Sequence, residues 1–253
     1  MLKENIPIIS LPQLKDNYSY LVLKNKKVII VDPAESTEII QYIKSNQLNL
    51  IAILLTHHHL DHTAGVKKIL ENFSTPVYSS DHNITHTTNV VKNGDLIDLD
   101  FIELEVIKAP GHTLDHIVFY SKTNHMLFSG DALFRLGCGR VFEGTYKQMF
   151  QTLKKINLLD NKTMVYCGHE YTYSNLDFLI SIFPNHKDLI SERKKIDNQL
   201  AKTGQSIPFN LGEEKAINPF LSTESEIYRI FKNENNFSDI EMFSYLRDLK
   251  NKF

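Results

Sequence analysis

The chain has 253 residues, 42% of them apolar and 23% charged, with a formal net charge of -2. That is enough for one large domain, or a larger and a smaller one, with a sizeable hydrophobic core. The balance of charge speaks against the basic surface of a nucleic-acid or anionic-membrane binder, and no apolar run reaches the length of a membrane span.

The opening segment MLKENIPIISLPQ has no long apolar stretch and no small-residue cleavage site, so no export signal is expected and a cytoplasmic location is. Residues 17–23 (NYSYLVL) and 27–31 (KVIIV) read as a hairpin closed at Lys24-Asn25-Lys26. In residues 36–45, Ile39, Ile40 and Ile43 recur at helical spacing. The continuous apolar run at 50–55 (LIAILL) suits a strand covered on both faces. Residues 63–73 read as a helix. Ile102, Leu104 and Val106 alternate with Glu103 and Glu105, the pattern of a half-buried strand. Strands at 116–120 and 126–128, an amphipathic helix at 145–156 and a strand at 163–166 follow. Beyond Gly168 the character changes. Residues 176–183, 188–201, 224–232 and 238–250 all read as helices, punctuated by Pro184, Pro208 and Pro219. The expected organisation is an α/β domain over residues 1–170 and a small helical domain over 171–253.

The chain has eleven histidines, and four of them, His57, His58, His59 and His62, crowd into six positions. LIAILL runs into Thr56-His57-His58-His59-Leu60-Asp61-His62. The strand ending near Lys108 runs into Gly111-His112, the strand at 126–128 into Gly130-Asp131, and the strand at 163–166 into Cys167-Gly168-His169. Ligands commonly bind in loops at the carboxyl ends of sheet strands. If these four loops converge, His57, His59, Asp61, His62, His112, Asp131 and His169 line one pocket. Residues two apart in an extended turn point the same way, so His57 and His59 can grip one ion, with Asp61 and His62 reaching a second. Imidazoles and carboxylates suit zinc, with iron or manganese also fitting. Seven ligands exceed what one tetrahedral ion with an open position takes, and they suit two ions with Asp131 between them. A lone histidine is more often structural. His58 points away by alternation, His116 is expected behind the site, and His82, His86, His125 and His186 are read as surface or structural. Cys138 and Cys167, far apart in sequence, read as small reduced core residues.

The string from Thr56 to His62, with Gly111-His112, Gly130-Asp131 and Gly168-His169, resembles the signature of the metallo-β-lactamase-fold superfamily. Narrower strings are similar to the glyoxalase II (hydroxyacylglutathione hydrolase) family along essentially the whole chain. They are GCGRVFEG at 137–144, CGHEYT at 167–172, Asn218-Pro219-Phe220 and Leu246-Arg247-Asp248-Leu249-Lys250. The resemblance implies an αββα sandwich with a C-terminal helical domain. It also implies two divalent metal ions on those seven ligands, with Asp61 and Asp131 as catalytic carboxylates. The implied reaction is hydrolysis of an S-(2-hydroxyacyl)glutathione thioester, expected to be S-D-lactoylglutathione, in methylglyoxal detoxification. Arg140, Tyr171, Arg247 and Lys250 match positions that hold glutathione. Phe142 stands where some members have a tyrosine, so a hydroxyl contact to substrate is missing there. Arg247 and Lys250 are three apart and share a helix face, and an arginine can hold a carboxylate of glutathione through two hydrogen bonds; the plainer reading is a basic helix end that complements the dipole.

The expected partner is a small-molecule thioester, with neither nucleic acid nor membrane, and a monomer. The rivals are a single-iron glutathione-persulfide dioxygenase of the same fold, a metal-dependent nuclease or β-lactamase, and a scaffold that lost catalysis. The tail argues against the first, the net charge and the missing export signal against the second, and the full ligand set against the third.

Overall fold

The computed structural model describes residues 6–253, so the first five residues of the opening segment lie outside the described part. The chain forms two compact units. Of the described residues, one comprises those up to Lys108 and Asp115–Gly130, the other Ala109–Leu114 and Asp131–Phe253.

The first unit opens with β1 (Ile8–Gln13), β2 (Asn17–Lys24) and β3 (Lys27–Val31), paired antiparallel in sequence order. The β2–β3 turn is two residues, with Asn25 at φ 55°, a left-handed conformation that asparagine tolerates better than most side chains. Helix α1 (Thr37–Ser45) crosses over to β4 (Asn49–Leu54), which runs parallel to β3. Two short helices follow, α2 (Leu60–Thr63) and α3 (Val66–Leu70), then β5 (Val77–Ser79) and β6 (Asn89–Val90). The six strands make one sheet in the order β1-β2-β3-β4-β5-β6. Ile39 and Ile43 of α1 and Val66 and Ile69 of α3 join Leu21, Ile30 and Ile53 in its core. Burying one such side chain stabilises by roughly 1.5–3 kcal/mol relative to leaving it exposed. The second sheet of this unit is antiparallel: β7 (Leu96–Asp98), β8 (Glu103–Lys108), β9 (Ile117–Ser121) and β10 (Met126–Gly130). Tyr20 of β2 meets Phe128 of β10 with ring centroids 5.7 Å apart, so the two sheets face each other across a shared core.

The single helix expected over 63–73 is broken, and Gly65 is the reason. A Cβ there would stand 2.7 Å from the Glu35 carbonyl oxygen and 2.8 Å from that of Pro33. The Gly65 amide donates to the Pro33 carbonyl at 2.9 Å, which docks the α2–α3 joint onto the loop after β3. That loop begins with Asp32, and α2 carries Asp61 and His62.

The second unit holds β11 (Leu133–Phe134) and β12 (Gly137–Cys138), a small hairpin, and then α4 (Tyr146–Asn157). Thr145 caps α4 through a reciprocal pair of bonds with Gln148. Strand β13 (Met164–Cys167) leads to α5 (Thr172–Ile182) and α6 (Lys187–Thr203). Strand β14 (Phe209–Asn210) pairs antiparallel with β13, and α7 (Leu211–Ile217), α8 (Glu226–Asn235) and α9 (Asp239–Lys252) complete the chain. Helix α7 and the shortest strands leave no periodic signal in the sequence.

Side chains from four of these helices hold the β11–β12 hairpin. Arg135, buried, donates through Nη2 to Glu192 Oε1 of α6 at 2.7 Å and through Nη1 to the Ser206 carbonyl at 2.7 Å. Asn175 of α5 donates to the Arg135 carbonyl at 3.0 Å, Glu214 of α7 accepts from the Leu136 amide at 2.8 Å, and Arg247 of α9 donates to the Cys138 carbonyl at 2.8 Å. An unpaired buried charge is costly, so Arg135 and Glu192 hold only as a hydrogen-bonded pair. Asp131 and Arg140 flank this hairpin in the sequence.

Candidate metal centre

In the first unit, His57, His59, Asp61 and His62 lie just past the end of β4. Ring centroids of His57 are 4.7 Å from His59 and 4.3 Å from His62. Ligand atoms of His57 fall within 4.8 Å of those of His59 and of His62, as do those of Asp61 and His62. His57 and His62 are fully buried. Asp32, also buried, organises them: its Oδ1 accepts from the Thr56 amide at 2.8 Å, and its Oδ2 from Thr56 Oγ1 at 2.7 Å. The same Oδ2 faces His62 Nδ1 at 3.1 Å. Thr56 Oγ1, having given its proton to Asp32, can only accept, and His57 Nδ1 faces it at 3.0 Å. His116 stacks on His57 at 4.8 Å with planes 20° apart. Gly130, at φ 47°, closes the pocket from β10. A Cβ there would meet Thr56 Oγ1 at 2.5 Å and His116 Nε2 at 2.9 Å, so only glycine fits both the backbone and the space.

In the second unit, His112, Asp131 and His169 come together, all buried. Asp131 Oδ2 is 3.4 Å from His112 Nε2 and 3.3 Å from His169 Nε2. His112 Nδ1 bonds to the Arg140 carbonyl at 2.8 Å. Gly139 lets this segment approach, since a Cβ there would fall 1.9 Å from the Asp131 carbonyl oxygen. Tyr171 stacks on His169 at 4.7 Å with rings nearly parallel at 5°. Arg140 lies over the exposed Phe142 ring at 5.8 Å.

The donor set fits divalent metal by tautomer chemistry. A carbonyl, a carboxylate and a hydroxyl that has spent its proton can only accept, so the histidine nitrogen facing each carries the proton. In neutral His57, His62 and His112 that nitrogen is Nδ1, which leaves Nε2 as a lone pair. The Nε2 lone pairs of His62 and His112 are directed toward carboxylates, Asp61 Oδ2 at 3.8 Å and Asp131 Oδ2 at 3.4 Å. Within each cluster a lone pair and a carboxylate this close repel unless a cation stands between them, and outer partners that fix the imidazole tautomer are the usual support of such ligands.

The sequence profile described as the metallo-beta-lactamase superfamily matches residues 14–169, and that described as the hydroxyacylglutathione hydrolase C-terminus matches residues 170–253. A protein of Pectobacterium atrosepticum named hydroxyacylglutathione hydrolase is 42% identical over 97% of this chain and 99% of its own length. The chain belongs to the hydroxyacylglutathione hydrolase family of the metallo-beta-lactamase superfamily. Among solved structures, ETHE1 from Myxococcus xanthus matches with a TM-score of 0.66 and 22% identity over 94% of this chain and 95% of that one, a likeness of fold. TTHA1623 in a di-iron-bound form matches with a TM-score of 0.56 and 26% identity, covering 65% of this chain and 92% of that one. The α/β sandwich and C-terminal helical region expected from sequence are the fold of this family, and the fold with its His and Asp clusters implies a pair of divalent metal ions.

The remaining expected residues fall as follows. Arg247 is buried, with Nε bonded to Asn251 Oδ1 at 3.1 Å, Nη1 committed to Cys138, and the Phe220 ring 5.4 Å away. Lys250 donates to the Ser174 carbonyl at 2.7 Å and to its hydroxyl at 2.8 Å, and burial with the nearby Arg247 charge pushes its pKa down to about 8. His58 is exposed and pairs with Asp115 at 3.0 Å, away from its neighbours' pocket. Neither cysteine is in a disulfide, both are buried, and burial pushes both thiols up. Sequence reasoning missed two residues of the first unit, Asp32 and Asn17. Asp32 had a usable signal: it ends the KVIIV strand as His57 ends LIAILL.

Proposed function

We propose that the chain hydrolyses the thioester of S-(2-hydroxyacyl)glutathione, with the S-D-lactoyl compound as expected substrate, using two divalent ions, zinc first and iron or manganese next. The observation that carries this is the ordered donor set within a chain whose curated relatives share the name hydroxyacylglutathione hydrolase along its whole length. His57, His59 and His112 would hold one ion, and Asp61, His62 and His169 the other, with Asp131 between them. Ions held there would supply a water whose pKa falls from about 15.7 toward about 7 and positive charge for the thioester carbonyl oxygen.

The protein's own groups do the rest. Asp32, Thr56 and the Arg140 carbonyl hold imidazoles in the tautomer that presents Nε2. The stacked Tyr171 ring keeps the His169 imidazole from turning. Arg140, Tyr171, Arg247 and Lys250 are assigned to the glutathione moiety, whose two carboxylates call for cations. The departing thiolate has a conjugate acid of pKa about 8.5, so no strong acid is needed to expel it. We place the boundary between catalytic and glutathione-binding parts at residue 170, and we take the protein to act as a cytoplasmic monomer on a small molecule. Among the described residues no helix is long and apolar enough to cross a membrane.

Exhaustive chelation should abolish hydrolysis of lactoylglutathione, and zinc, iron or manganese should restore it. Activity that survives complete metal removal contradicts the reading. Oxygen uptake with glutathione persulfide in place of thioester hydrolysis would select the dioxygenase instead.

A further inference from the structure

Asn17 stands at the first position of β2, buried, and its amide nitrogen makes two bonds to a single residue. Nδ2 donates to the Asp61 main-chain carbonyl at 3.0 Å and to the Asp61 carboxylate Oδ2 at 3.1 Å. An amide NH2 has two protons, and both are spent on Asp61. The bond to the carbonyl fixes the backbone of α2 against β2. The bond to Oδ2 folds the carboxylate back toward that same backbone and so selects its rotamer.

Asp61 needs this hold. Its side chain is 40% exposed, whereas the His62 side chain beside it is 1% exposed. An exposed carboxylate on a one-turn helix samples several rotamers, and only some bring Oδ2 within 3.8 Å of His62 Nε2, where it is found. The anchor itself is rigid. Asn17 pairs with Gln13 at the closed end of the β1–β2 hairpin, and Gln13 is fastened in turn by Ser19 Oγ at 2.5 Å and the Glu35 amide at 2.9 Å. The residue type is also apt. A lysine or arginine here would neutralise the carboxylate that an ion needs, and an aspartate would oppose acceptor to acceptor. A neutral amide orients Asp61 and leaves its charge available.

We propose that Asn17 is a positioning residue for Asp61, setting the affinity of the one metal ion that Asp61 and His62 hold and leaving the other ion unaffected. This rests on the reading of Asp61 as a metal ligand. Loss of an outer partner of a metal ligand costs about 10–100-fold in affinity, and that is the size of effect expected here.

The experiment is a metal-binding titration of the full chain with zinc and a competing chelator, on wild type, Asn17→Leu, Asn17→Gln, Asp61→Asn and the double variant Asn17→Leu/Asp61→Asn. Leucine keeps the bulk of asparagine without its protons. The expected result is two ions in wild type, with one of the two affinities reduced about 10–100-fold by Asn17→Leu. Asn17→Gln should recover part of that loss. Asn17→Leu should add nothing once Asp61→Asn is present. Wild-type affinities for both ions in Asn17→Leu would overturn the proposal. So would equal weakening of both ions with a fall in the unfolding midpoint of the metal-free protein, because that is plain structural damage. If Asp61→Asn itself keeps both ions, the reading of Asp61 as a ligand fails, and the role of Asn17 fails with it for that separate reason.

Discussion

Each candidate metal ligand whose outer partner is seen here depends on a residue that is not itself a ligand. Asp32 for His62, Thr56 for His57, the Arg140 carbonyl for His112 and Asn17 for Asp61 each fix an orientation or a tautomer. The candidate ligands could be named from the sequence, because four loops each follow an apolar strand with a histidine or aspartate. Asn17 and, but for its place at a strand end, Asp32 could not, because a hydrogen bond between residues 44 or 30 positions apart leaves no local pattern. Lys250 gives a prediction at this scale. Its ammonium is ordinarily lost near 10.5 but here near about 8. Below about pH 8 it is charged and suits an anionic substrate; above that it becomes neutral. The KM for the glutathione thioester should therefore climb as pH rises through about 8, with kcat moving much less, since uniform binding is what is lost. In Lys250→Ala the KM should be higher and that rise absent. An identical rise in the variant would remove Lys250 from substrate binding.

Secondary elements with strong periodicity were readable in advance, and those shaped by tertiary contact were not. The β2–β3 hairpin, α1, β4, α4 and four C-terminal helices fall within a few residues of their expected places, because apolar spacing and caps such as Thr145 and Ser238 mark them. The break at Gly65 was invisible because its cause is the carbonyls of Pro33 and Glu35, thirty residues earlier. The β11–β12 hairpin is likewise a product of its surroundings, braced by Arg135, Glu192, Asn175, Glu214 and Arg247. Among these braces, burial pushes the Glu214 carboxyl up to about 7 from 4.5, against the lowering effects of the Leu136 amide, the Arg135 charge and Asn218. The folded protein thus holds a proton that the unfolded chain releases. The stability this gives is fully present below about pH 4.5 and is lost as pH rises through about 7. Denaturant midpoints between pH 5 and 8 should fall with pH in wild type and fall less in Glu214→Gln, which keeps an acceptor for the Leu136 amide. Equal slopes in the two proteins would show that Glu214 does not titrate in this range.

For the whole chain, sequence strings and profile matches agree from residue 14 to the C-terminus on one family. Composition alone could not have reached that: a net charge of -2 and 42% apolar residues describe many proteins. The region that follows His169 matches the hydroxyacylglutathione hydrolase C-terminus, and four of its helices supply the hairpin's braces and two of the assigned glutathione cations. Sequence could name those cations only by resemblance, because Arg247 and Lys250 read more plainly as the basic end of α9. The central claim is that the activity belongs to a pair of divalent ions held by imidazoles and carboxylates. Its most direct test is to titrate zinc into the metal-free chain while measuring bound metal and lactoylglutathione hydrolysis on the same samples. Activity should appear with bound metal and reach its plateau at two ions per chain. A plateau reached with no ion bound, or an inactive chain carrying two, would contradict it.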